Sequence, residues 1–160
     1  MGATLVITLL TDFGLRDPYV AEMKAVILSI NPSATIVDIT HLVEPFNVRM
    51  GAFLLASAYR YFPKGSIHVG VVDPGVGGRR RPLLIKSRNY AFIGPDNGLL
   101  ALAAKLDGVE EAYEITNPRL MLPEVSKTFH GRDIFAPVAC LLYTSPSPRD
   151  LSTSRMPSSA

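Results

Sequence analysis

The chain is poor in the residues that would suit an oxidising compartment or a polyanionic partner. It has one cysteine among 160 residues, Cys140, so no disulfide can form within it and no cysteine set can bind a metal. Its formal net charge of +2 is too small to favour nucleic acid or a membrane surface as a partner. Arg79, Arg80 and Arg81 supply part of that charge and leave room for a local anion site. We expect a cytoplasmic protein.

Long apolar runs are also missing. No segment approaches the roughly 20 apolar residues of a membrane-spanning helix. The apolar start, 5–10, has no basic leader and is followed at once by Thr11-Asp12-Phe13-Gly14, which is typical of a strand and not of a signal peptide. Hydrophobic residues are 48% and charged residues 19%, the balance of a globular domain. We expect one soluble α/β domain.

The apolar segments predict strands and helices in alternation. The continuous run 5–10 suits a strand buried on both faces, and 18–30 repeats near helical period before Pro32. The later segments are a strand at 35–39, a helix at 48–61, strands at 66–72, 82–87 and 90–93, a helix at 98–106, a strand at 112–115 and a helix at 134–142. Arg88-Asn89 suits a hairpin turn. This order predicts a layered α/β domain with a largely parallel or mixed sheet flanked by helices.

The end of the chain breaks the pattern. Segment 143–160 is nearly all Ser, Thr, Pro, Arg and Asp without apolar periodicity, so we expect it to be disordered. It is either a natural linker or the product of a truncated reading frame. The string 143–150 resembles translated adapter or vector sequence, which favours truncation. The predicted organisation is an α/β domain at 1–142 and a non-native tail at 143–160.

Asp12 is the first candidate for binding a ligand. It follows the first strand, where a carboxylate can accept hydrogen bonds from the two vicinal hydroxyls of a ribose. The alternative is a local role, in which Asp12 or Asp17 caps a turn or the start of the first helix.

Asp73, His130 and an arginine form the second candidate group. Asp73 opens a glycine-rich loop that exposes backbone donors but lacks the Lys-Ser/Thr of a P-loop and the glycine spacing of a dinucleotide fingerprint. With His130 and an arginine of the same loop, it can hold and polarise a water. Each residue also has a structural interpretation, as a turn, a solvated loop or a structural histidine. His41 and His68 give no metal spacing with His130, so no metal is expected.

Five motifs, in order, resemble the S-adenosylmethionine hydroxide adenosyltransferase family, whose relatives include fluorinase and chlorinase. The resemblance runs from about Thr4 to about Ala139 and covers the amino-terminal domain of that family. The motifs are Thr11-Asp12-Phe13-Gly14, Asp38-Ile39-Thr40-His41, Val72-Asp73-Pro74-Gly75-Val76-Gly77, Pro95-Asp96-Asn97-Gly98-Leu99-Leu100 and Thr128-Phe129-His130-Gly131-Arg132-Asp133.

The resemblance implies hydrolysis of S-adenosylmethionine. Water or hydroxide would attack the ribose 5′ carbon and release adenosine and methionine, with no cofactor because S-adenosylmethionine is itself the substrate. By the same resemblance Asp73, Arg80 and His130 hold the nucleophile and Asp12 binds the ribose hydroxyls. The residues implied to line the substrate pocket are Asp17, Phe46 and Phe129. Asp73 would repel a halide and Val76 offers it no hydroxyl, which favours hydrolysis over halogenation.

The resemblance also implies parts that this sequence lacks. Family members continue into a carboxyl-terminal β-barrel domain, and their sites form between subunits of a homotrimer. We therefore expect this chain to be inactive or nearly so on its own, with an apolar face left exposed. Two alternatives stay open: a non-catalytic module that binds adenosine or S-adenosylmethionine, and a halide-dependent adenosyltransferase.

Overall fold

A computed structural model of the protein describes residues 4–144 and 154–155. Strands and helices alternate along the described chain except for three consecutive strands in its middle, as the sequence predicts. In chain order they are β1 (Val6–Thr11), α1 (Tyr19–Ile30), β2 (Thr35–Thr40), α2 (Val48–Ala58), β3 (Ile67–Val71), β4 (Pro82–Ser87), β5 (Ala91–Pro95), α3 (Ala101–Asp107), β6 (Val109–Glu114), α4 (Ala136–Thr144) and β7 (Ser154–Arg155).

The strands form one mixed sheet in the order β2-β1-β3-β5-β4-β6-β7. The first four are parallel, and β4, β6 and β7 pair antiparallel with their neighbours. β1 lies between two parallel partners, which explains its unbroken apolar sequence, since both of its faces are covered. The fold class and the hairpin at Arg88-Asn89 are thus confirmed.

Helices cover both faces of the sheet and enclose two apolar cores. α1 packs beside α4 on one face, and α2 packs beside α3 on the other. Val20, Met23 and Ile27 recur on one side of α1 and are buried there, as the helical period predicts. In the described residues, every helix is too short or too polar to cross a bilayer.

Several element boundaries differ from those expected. The last turn of the predicted helix 48–61 is a 3₁₀ turn, Tyr59–Tyr61, and α3 begins after Gly98, whose φ of 93° is not helical. A π-helical turn, Gly131–Phe135, precedes α4. Within the predicted disordered segment 143–160, Tyr143 and Thr144 end α4 and Ser154–Arg155 pairs with β6. The rest of that segment lies outside the described residues.

The sheet topology places two candidate residues together. β1 pairs with β2 on one side and with β3 on the other. The strand order therefore has its topological switch point between β1 and β3. Ligands of open α/β sheets bind at such a point, beyond the carboxyl ends of the strands. Thr11 pairs with Val71 at those ends, and therefore Asp12 and Asp73 leave the sheet side by side.

Candidate active site

Asp73 lies in the loop at the carboxyl end of β3. Asp73 is only 6% exposed. The loop turns at Gly77, where φ is +76° and where a Cβ atom would collide with the backbone carbonyl oxygen of Lys127. Glycine is therefore required there both for the backbone conformation and for the close approach. This contact seats the Asp73 loop against the segment that carries His130.

Arg80 connects Asp73 to His130. Its Nε lies 3.1 Å from both carboxylate oxygens of Asp73, and its Nη2 lies 2.5 Å from Oδ2. The same Nη2 lies 2.8 Å from Nδ1 of His130. The Arg80 side chain is 9% exposed, whereas Arg79 and Arg81 are exposed residues. Of the three consecutive arginines, Arg80 is the one that reaches both candidate residues.

The contact with Arg80 fixes the protonation of His130. A guanidinium can only donate, so Nδ1 must accept, and the proton of the neutral imidazole resides on Nε2. Burial and the neighbouring charge of Arg80 both lower the pKa of His130 below its ordinary value. His130 is therefore a neutral imidazole at pH 7, with its proton on Nε2.

Asp133 anchors the segment that carries His130. Its carboxylate accepts from the backbone N–H of Ser126 at 2.9 Å and from Nε of Arg132 at 2.7 Å. Burial alone would raise the pKa of Asp133, but these hydrogen bonds outweigh burial and hold that pKa below its ordinary value. The π-helical turn after His130 is thus tied back to the preceding loop by a buried, ionised side chain.

Asp12 holds a second loop beside the first. Its Oδ2 accepts from the backbone N–H of Phe46 at 2.7 Å. Phe46 has a φ of +62°, a conformation that a bulky residue rarely adopts, and its side chain is 66% exposed. Among the described residues nothing donates to the other oxygen, Oδ1, and Asp12 thus retains an acceptor for a ligand.

A cavity of about 210 Å³ joins these residues. It brings together five of the seven residues proposed from the sequence. Its lining consists of Asp12, Phe13, Pro45, Phe46, Val71, Asp73, Val76, Thr128, Phe129, His130 and Gly131. Arg80 is outside the lining and reaches the cavity through Asp73 and His130. Asp17 does not line it and is exposed just before α1.

Sequence reasoning missed a series of hydrogen bonds that ends at Thr11, the neighbour of Asp12. Thr11 Oγ1 lies 2.7 Å from Nδ1 of His41, and Nε2 of His41 lies 2.7 Å from Oδ1 of Asp38. The sequence did contain a signal, the Asp-x-x-His motif of 38–41. It is one of the five family-like motifs, but the sequence analysis assigned no role to its residues. Across the described part of the chain, no three His, Cys, Asp or Glu side chains are grouped to bind a metal ion.

Solved structures resemble this chain closely. An uncharacterized conserved protein from Thermotoga maritima matches with a TM-score of 0.91 and 46% identity, over 95% of this chain and 59% of that chain. A conserved hypothetical protein from Thermus thermophilus matches with a TM-score of 0.80 and 37% identity, over 96% of this chain and 59% of that chain.

Curated relatives share the sequence at similar levels. A protein of Salinispora arenicola named (R)-S-adenosyl-L-methionine hydrolase is 48% identical over 89% of this chain and 54% of its own length. A fluorinase of Nocardia brasiliensis is 30% identical over 84% of this chain and 53% of its own length. The chain spans about half the length of these relatives. The model of the SAM hydroxide adenosyltransferase N-terminal domain matches residues 7–152, and the chain belongs to that family.

Proposed function

We propose that this chain is the nucleophile-holding part of an enzyme that hydrolyses S-adenosylmethionine to adenosine and methionine. The observation that supports it most is the Asp73–Arg80–His130 set, which borders a cavity that Asp12 also lines. Hydrolase names among the 48% identical relatives support the same reaction.

Asp73 and His130 would hold the water in this reaction. His130 offers Nε2–H to the water oxygen, because Nδ1 is already occupied by Arg80. Asp73 accepts a water proton, and Oδ1 is the better acceptor because the closest Arg80 contact is made to Oδ2. In this assignment Asp73 is the base and His130 orients the nucleophile.

The charges suit this substrate. As the water oxygen bonds to C5′, the C5′–S bond breaks and its electron pair goes to sulfur, so the cationic sulfonium leaves as neutral methionine. One proton is released. The carboxylate of Asp12 favours a cation at this position, and Val76, which lines the cavity, offers no hydroxyl to a halide nucleophile.

We propose that the surfaces for adenine and methionine lie outside this chain. The cavity of about 210 Å³ is smaller than the range of about 300–1,000 Å³ that encloses a ligand of this size. We infer that Asp12 and the Asp73 loop bind the ribose and the nucleophile. Surfaces from a carboxyl-terminal domain, in a homotrimer, would then enclose adenine and methionine.

A hybrid enzyme tests this proposal. It joins residues 1–144 of this chain to the carboxyl-terminal half of the Salinispora arenicola relative. With either sulfonium epimer of S-adenosylmethionine in ¹⁸O-water, we expect adenosine labelled at the 5′ oxygen from the hybrid enzyme, and little from its Asp73→Asn variant. A folded hybrid enzyme that binds adenosine but releases none would support a binding module instead, and product formed only with chloride would support a halide-dependent transferase.

A further inference from the structure

A series of hydrogen-bonded side chains runs from the partly exposed Lys24 and Asp38 to the buried His41 and Thr11, next to the turn that carries Asp12. Nζ of Lys24 donates to Oδ2 of Asp38 at 2.7 Å, and Nε2 of His41 lies 2.7 Å from Oδ1 of the same carboxylate. Nδ1 of His41 lies 2.7 Å from the hydroxyl of Thr11. That hydroxyl accepts from the backbone N–H of Phe13 at 3.2 Å. This series of hydrogen bonds ends at Phe13, the residue after Asp12.

The donors and acceptors of this series permit one direction when His41 is neutral. A carboxylate only accepts, so Nε2 of His41 carries the proton and Nδ1 must accept from Thr11. The hydroxyl proton of Thr11 is thereby used, and its oxygen is left to accept from Phe13. Burial alone would raise the pKa of Asp38, but its hydrogen bonds from Lys24 and His41 outweigh burial and lower it.

The backbone and the side chain of His41 both contact the turn that follows β1. The carbonyl of His41 accepts from the N–H of Gly14 at 2.8 Å, so backbone and side chain together enclose Asp12 and Phe13. The ring of Phe13 meets Phe129 edge-to-face at 5.5 Å, and both residues line the cavity. Disorder of this turn would therefore displace residues that line the cavity.

The structure assigns Asp38, His41 and Thr11 as positioning residues that fix the Asp12–Phe13 turn through the tautomer of His41. The assignment rests on the proposed function only for its kinetic consequence. Asp38 is on β2 and is not among the residues that line the cavity, and its hydrogen bonds lead to the turn through His41 and Thr11.

The strand β1 supplies a matched control. Thr8 Oγ1 lies 2.6 Å from Nδ1 of His68, and both residues are fully buried, as Thr11 is. Neither Thr8 nor His68 lines the cavity. Thr8→Val therefore removes a threonine–histidine bond of the same kind without touching the turn.

Two measurements on the 160-residue chain test the assignment independently of catalysis. In ¹H–¹⁵N spectra of the imidazoles at about pH 9, alkaline enough for a neutral imidazole, we expect His41 as the pure Nε2–H tautomer and a mixture in Asp38→Ala. Amide exchange at Phe13 and Phe46 should accelerate about tenfold in Thr11→Val and Asp38→Ala, the factor for about one lost hydrogen bond. It should stay within about twofold in Thr8→Val and Thr11→Ser.

A third measurement uses the hybrid enzyme. KM should rise about tenfold in Thr11→Val and Asp38→Ala with a smaller change in kcat, and Thr11→Ser should restore it. An Nδ1–H tautomer in the parent, or equal exchange at Phe13 in Thr11→Val and Thr8→Val, would overturn the assignment. An inactive parent hybrid enzyme with the expected tautomer and exchange would contradict the proposed function alone.

Discussion

Arg80 donates to His130 across fifty residues of sequence, with 2.8 Å between Nη2 and Nδ1. The same nitrogen lies 2.5 Å from the carboxylate of Asp73, so one atom joins the two loops that form the candidate site. The geometry also assigns unlike roles to the two ends: Asp73 carries a carboxylate that can accept a proton, and His130 carries an imidazole whose Nε2–H can only donate.

Replacing Arg80 by lysine should abolish most activity of the hybrid enzyme. A lysine keeps the charge but not the planar fork that holds Asp73 through two nitrogens while also reaching His130. We expect adenosine release to fall roughly 100-fold or more. Arg79→Lys and Arg81→Lys are the matched controls, because both side chains are exposed, and each should stay within about twofold of the parent. Equal losses in all three variants would contradict the assignment.

Activity should depend on a neutral His130. Burial and the charge of Arg80 lower the pKa of His130 from 6.5, so kcat/KM of the hybrid enzyme should persist below pH 6.5 and fall only at more acidic pH. The free energy of unfolding should also decrease at acidic pH. Between pH 6.5 and the lower pKa of the folded state, the unfolded chain binds the proton first, so the free energy of unfolding decreases as pH falls.

The matched control for this pH dependence is His130→Gln, whose amide cannot titrate. The acidic fall in kcat/KM that belongs to His130 should be absent from its residual activity. An acidic limb above pH 6.5 in the parent, or one unchanged in His130→Gln, would be evidence against the role.

The fold was largely predictable because its signals are local. The unbroken apolar run of β1 indicates a strand covered on both faces, and the period of α1 indicates one buried side. The carboxyl ends of β1 and β3 follow from that alternation, and so does the placement of Asp12 and Asp73 at one edge of the sheet.

The finer parts of the site depend on contacts that sequence does not display. Arg79, Arg80 and Arg81 are chemically identical neighbours, and only the path of the loop decides which one is buried. Asp17 is near Asp12 in sequence but is exposed and lies outside the cavity lining. The bond between Thr11 and His41 spans thirty residues and forms only when β1 and β2 pair.

Asp133→Asn should destabilise the chain by about 1.5–3 kcal/mol, the range for a hydrogen bond to a charged group. The folded pKa of Asp133 lies below its ordinary 3.8, so its contribution is present above pH 3.8 and is lost as pH falls through the folded value. Urea unfolding at pH 7 and at decreasing acidic pH should show the gap between parent and variant closing. Glu124→Gln, an exposed change in the same loop, serves as the control, and a gap independent of pH would contradict the ionised state.

Gly77→Ala should separate loop seating from simple backbone strain. At Gly77 an alanine meets a left-handed φ and also the backbone oxygen of Lys127, which cannot yield as a side chain can. Gly98 has a left-handed φ of +93° with open space around it, so Gly98→Ala incurs the conformational cost alone, roughly 1–2 kcal/mol. In urea unfolding we expect Gly77→Ala to lose more than Gly98→Ala. The hybrid enzyme should lose activity only in Gly77→Ala, because displacing the loop from Lys127 pulls Asp73 and Arg80 away from His130. Equal stability losses with activity retained in both variants would mean that the contact with Lys127 does not hold the site together.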